Sequence, residues 1–109
     1  MDIKNIADEI EKKIRELESG RKIIGQRAEK KAEAIANYDK ALAIKIITLK
    51  NEGTPLSIVD KIARGECWQE KLEMEKAEGM YRAAVSGMDS LAAELNGWQS
   101  IYRHLSHTA

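Results

Sequence analysis

The sequence predicts an all-α fold: a long antiparallel helical hairpin, coiled-coil-like, with a short corner helix near residues 55–64. Three observations carry this. Apolar residues recur every seven positions through both halves of the chain. The strongest helix-breaking signals crowd into one stretch, where Gly53, the single proline Pro55 and Gly65 fall between the two periodic halves. Charged residues make up 33 % of the chain and aromatics 5 %, with no Phe, and Ala, Glu, Lys, Ile and Leu dominate, as in long helices. At 109 residues the chain is expected to form a single helical domain: a long helix over about 2–52, a corner over 53–65 and a second long helix over about 66–106.

The N-terminal arm carries one seven-residue row through Ile3, Ile10, Leu17 and Ile24, and another through Ala28, Ile35, Leu42 and Leu49. The four-residue step from Ile24 to Ala28 reads as a stutter, beside Gly20 and Gly25, and a stutter locally unwinds a coiled coil. Arm length favours one helix that bends there over a separate helix formed by the first 19 residues.

At the corner, Gly53 follows the last periodic residue and suits a left-handed position, with proline two residues later. Thr54 reads as an N-cap and Pro55 as the first residue of a short helix through Leu56, Val59 and Ile62, ended by Gly65. Ile44, Ile47, Ile58 and Ile62 supply a second apolar surface near this end, so the short helix is expected to fold over the tip.

The C-terminal arm has the clearest pattern. Cys67, Met74, Tyr81, Met88, Leu95 and Tyr102 form one row. Glu70, Ala77, Ala84, Leu91, Trp98 and Leu105 form the other. A helix of this length spans roughly 60 Å. If Leu49 faces Cys67, Ile10 faces about residue 105–106, and the arms end almost together. Lys40, Lys45 and Lys50 then lie opposite the acidic stretch 66–78, and the basic run 21–31 opposite Asp89 and Glu94. Such pairs are individually weak but help to fix orientation.

Chemistry is sparse. A helix-turn-helix at the corner would need a basic recognition helix, but the helix after Gly65 opens with the acidic run ECWQEKLEME. GRKIIGQR lacks the Lys and Ser/Thr of a phosphate-binding loop, where Gln26 and Arg27 stand instead, and no strand precedes it. His104 and His107 share a helical face without a third ligand. Ile101 and His104 occupy the positions where a Glu-x-x-His di-metal motif needs Glu. Cys67 lies on the packing row, as a small buried hydrophobe does. The chain is therefore expected not to be an enzyme and to have no catalytic, cofactor or metal site.

Lys plus Arg and Asp plus Glu both number 18, so no net charge draws the chain to nucleic acid or an anionic membrane. One cysteine fits a reducing compartment. The opening MDIKNIADEIEKK lacks the apolar core of a signal peptide, and no apolar run approaches membrane-spanning length. The expected location is the cytoplasm of a bacterial host cell. LNGWQSIYRHL is the leading surface candidate: Trp98 and Tyr102 lie on the packing rows while Ile101 and Leu105 widen the apolar stripe, opposite Ile3, Ile6, Ile10 and Ile14. This surplus points to homodimerisation into a helical bundle or to a partner protein, with Leu56 and Ile58 at the corner as further interface candidates. The alternative is a nucleic-acid-binding factor that lays Arg21, Lys22, Arg27, Lys30 and Lys31 along a phosphate backbone. No aromatic residue is interleaved with them, which counts against single-strand binding.

The runs LKNEGTPLSIVDKIARGE and AEGMYRAAVSGMDSLAAELNGWQSIYRHLS, within residues 40–106, resemble small helical-hairpin proteins of tailed bacteriophages and prophages. The resemblance rests on the Leu-Lys-x-x-Gly corner, the Ala-Arg-Gly of the short helix and Glu78 to Ala84. It implies an early-gene setting near recombination and single-strand annealing, and no catalytic residues. The expected function is that of a non-enzymatic phage accessory protein that binds a phage or host protein, to assist recombination or replication or to inhibit a host defence protein.

Overall fold

The computed structural model describes residues 2–108 and is built from three helices: α1 (Ile3–Asn51), α2 (Leu56–Glu66) and α3 (Trp68–Thr108). No strand occurs among the described residues, and the architecture is an all-α antiparallel hairpin with a short corner helix.

α1 begins on a cap that the heptad pattern does not show. Asp2 precedes the first helical residue, and its Oδ1 accepts the Lys4 amide at 3.2 Å. From there α1 runs to Asn51 with Gly20 and Gly25 inside it. Its end is a Schellman turn. Gly53 takes φ 83°, its N–H donates to the Lys50 carbonyl at 3.1 Å, and the Thr54 N–H donates to the Leu49 carbonyl at 3.0 Å. The left-handed position expected of Gly53 is the one observed.

The other corner signals act differently. Pro55, with φ −55° and ψ 132°, is itself the N-cap of α2, and no side chain caps that helix. Gly65 does not end α2 but lies inside it, with helical backbone and open space where a Cβ would stand. The break comes at Cys67 (φ −92°, ψ 26°), whose N–H still donates to the Ala63 carbonyl at 3.0 Å. The buried Cys67 side chain sets the joint, not a glycine. Gly53→Ala is accordingly expected to cost about 1 kcal/mol for forcing a Cβ into the left-handed region. Gly65→Ala should gain up to about 1 kcal/mol from helix propensity. Denaturant titration of the two variants reads the opposite signs.

The chain forms two compact units. The first joins residues up to Gln26 with those from Arg82 onward, and the second is Arg27–Tyr81. In the first, Lys13 Nζ meets Glu94 at 2.7 Å, which brings Ile10 level with Gly97. The sequence register placed Ile10 near residues 105–106; the observed register is shifted towards the corner, and Glu94 goes to Lys13 instead of the basic run. Met88 Sδ packs against Gly20 so closely that a Cβ there would collide with it. Ile6 is fully buried.

In the second unit, Leu49, Val59 and Ala63 form a buried cluster, with Leu42, Ile46 and Ile62 packed around it. Lys45 bridges to Glu66 at 2.8 Å. Lys31 Nζ stands 4.9 Å from the Tyr81 ring centroid and Lys71 Nζ 5.4 Å from that of Tyr38.

The expected stutter is absent. The buried and half-buried row of α1 continues through Ile24, Arg27, Lys31, Ala34, Tyr38, Ala41 and Lys45 in alternating steps of three and four residues, while Ala28 and Ile35 are exposed. α3 presents an uninterrupted heptad, and α1 stays in phase with it. The Tyr81 ring receives the Lys31 ammonium where the apolar pattern alone would shift the phase.

Candidate interaction surfaces

Among the described residues, exposed large apolar side chains outnumber the buried ones. Ile6, Leu49, Val59, Ala63 and Cys67 are buried, whereas Ile14, Ile23, Ile44, Ile47, Leu56, Trp68, Leu72 and Met80 are each more than 40 % exposed.

In the first unit, Trp98 is half-buried and lines a crevice of about 490 Å³ with Asn5, Asp8 and Glu9. Ile101 (43 %) and Tyr102 (40 %) are exposed, and Leu105 is half-buried. A larger groove of about 670 Å³ opens in the same unit over Gly20, Ile23, Gly87, Met88 and Leu91, rimmed by Lys12, Arg15 and Glu16. Its floor is legible only once α1 and α3 are paired, because Gly20 and Gly87 carry no hydropathy signal.

In the second unit, Leu56 is 75 % exposed and Ile58 42 %. Ile44 and Ile47, at 55 % and 60 %, lie on the face of α1 turned away from Leu42, Ile46 and Leu49. Trp68 and Leu72 are likewise off the packing row of α3. A groove of about 600 Å³ runs between α1 and α3, with Ala34, Ala77 and Met80 as its apolar lining and Arg27, Lys30, Glu33, Glu70, Glu73 and Lys76 as its charges.

The five cations of the basic run do not form one stripe. Arg21 and Lys22 are exposed residues of the first unit. In the second unit, Arg27 and Lys30 line the groove and Lys31 is held over Tyr81. Successive residues turn by about 100° around a helix, so neighbours in sequence point apart. Elsewhere, the Glu94 carboxylate raises the Lys13 pKa by hydrogen bonding, and Glu66 does the same to Lys45. Both pairs therefore contribute stability below the ordinary lysine range and lose it as pH rises through the folded pKa values.

Nothing converges for chemistry among the described residues: no group of three or more His, Cys, Asp or Glu side chains is placed to hold a metal. Among the described residues no helix is long and apolar enough to cross a membrane. The arrangement presents apolar floors with charged rims, which suit recognition of another chain. No family model, no curated protein and no solved structure matches this sequence.

Proposed function

We propose that this protein works by binding other protein chains, as a non-enzymatic, homodimeric helical accessory protein. Its partner is a phage or host protein, as the resemblance of residues 40–106 to phage hairpin proteins implies, and its setting is the bacterial cytoplasm. The observation that carries the reading is the surplus of exposed large apolar side chains over a thin core. Such surfaces mark protein interfaces. The nucleic-acid reading is not favoured, since Arg21, Lys22, Arg27, Lys30 and Lys31 do not present one continuous basic face.

A photo-crosslinking residue placed at Ile101 or at Leu56, in cells that carry the phage or prophage, tests this. The expected result is discrete adducts of defined mass, reduced from the Ile101 site by Trp98→Ala, which removes the aromatic platform of that crevice. Absence of any discrete adduct from both sites would overturn the reading. Titration with labelled single- and double-stranded DNA tests the alternative. Phosphate binding would show affinity falling by roughly 0.7–0.9 log units per contact per log unit of salt.

A further inference from the structure

We infer that the groove of the second unit is a self-docking surface, in which two copies pair antiparallel about a two-fold axis. This rests on the reading of the chain as a protein-binding module, and it names the occupant of one surface.

The groove is an open face between two helices with a floor of small and adaptable residues. Ala34 and Ala77 let another helix come close, and Met80, 48 % exposed, can fill an irregular gap. Its charges are segregated by position. The cross-helix contacts of Lys31 with Tyr81 and of Tyr38 with Lys71 fix the register of α1 on α3. In that register Arg27 and Lys30 lie towards one end, level with Met80 and the residues after it. Glu70 and Glu73 lie towards the other, level with Asn37 and the residues after it. Glu33 and Lys76 occupy the middle.

Most of these charges are not consumed within the chain. The side chains of Arg27, Lys30, Glu33 and Glu70 make no ion pair or hydrogen bond among the described residues, and those of Glu73 and Lys76 pair only with each other, at 3.7 Å. A groove that is basic at one end and acidic at the other is complementary to itself turned end for end. Antiparallel pairing sets Arg27 and Lys30 of one copy against the acidic end of its partner, twice over. Parallel pairing would set like charges together at both ends and is disfavoured. Equal totals of positive and negative residues remove the net repulsion that opposes self-association.

Light scattering coupled to size-exclusion chromatography tests this on the full chain at about 100 µM, above the micromolar dissociation constants that mark the weak end for such interfaces. The wild type should run at twice its monomer mass and dissociate more readily as salt rises. Arg27→Glu/Lys30→Glu makes both ends acidic, and Glu70→Lys/Glu73→Lys makes both basic. Each double variant should be monomeric, with its dissociation constant raised at least about a hundredfold. An equimolar mixture of the two should form a heterodimer. The chain carrying all four substitutions should dimerise again, which separates lost docking from lost folding, with helicity by circular dichroism as the control.

A monomeric wild type overturns the inference. So does a dimer indifferent to both double variants, which would place self-association elsewhere, or a mixture that stays monomeric. Any of these failures accompanied by discrete crosslinks to another protein from Ile101 or Leu56 leaves the protein-binding reading standing, and a monomeric wild type removes only its homodimeric part. Loss of those crosslinks alone leaves the self-docking groove standing.

Discussion

Ala63→Asp should detach α2 from the tip and destabilise the second unit by at least about 3 kcal/mol, since it buries a carboxyl in an apolar cluster. Ala63 is 0 % exposed, and its surroundings are Leu49 and Val59 with Leu42, Ile46 and Ile62. No side chain caps α2, so this cluster, with the Lys45–Glu66 ion pair at its far end, is what holds it down. Hydrogen exchange should show α2 amides losing protection while those of the first unit keep theirs. The penalty has a pH signature. Burial raises the folded pKa of the new carboxyl, so the variant loses stability relative to wild type as pH rises above about 4. Arg64→Asp, one residue on at an exposed position, serves as the control and should change stability by no more than about 1 kcal/mol. Equal effects at the two sites would mean that Ala63 is not enclosed.

Ile6→Ala should be the most costly truncation in the first unit, about 3 kcal/mol, equivalent to a fall in Tm of about 15 °C. Ile6 is the largest fully buried side chain, whereas Ile3, one turn earlier, is 37 % exposed and Ile14 42 %. Ile3→Ala and Ile14→Ala are expected to cost about 1 kcal/mol or less. Thermal unfolding followed by circular dichroism ranks the three. If Ile3→Ala costs as much as Ile6→Ala, the seam at this end runs along the Ile3 row and the assigned packing is wrong.

The seven-residue row Ile3, Ile10, Leu17 and Ile24 is visible to the eye, but the side chain with no solvent contact is Ile6, between its members. A heptad marks a face about 100° wide, and which residue within it is enclosed depends on what the facing helix brings. The same limit governs the candidate surfaces. Trp98, Ile101 and Tyr102 were legible as an apolar surplus, as was the Ile44 and Ile47 pair, because large apolar residues off the seam need no structure to be counted. The groove of Arg27, Lys30, Glu70 and Glu73 was not, since its walls come from separate helices and its floor is alanine.

The helical class, the hairpin and the place of its corner follow from local rules that act within a few residues. Heptad spacing selects helix, and Gly53, followed by Pro55, terminates one through a left-handed turn that disfavours a Cβ. Register and phase lie beyond such rules. Lys13 meets Glu94, Gly20 accepts Met88 and Lys31 settles on Tyr81 only when one helix is laid against the other. Sliding an antiparallel pair by one heptad keeps every apolar residue on the seam, so hydropathy leaves the registers nearly equal in energy. Side-chain shape and a few cross-helix charges decide between them, and these act across space and not along the chain.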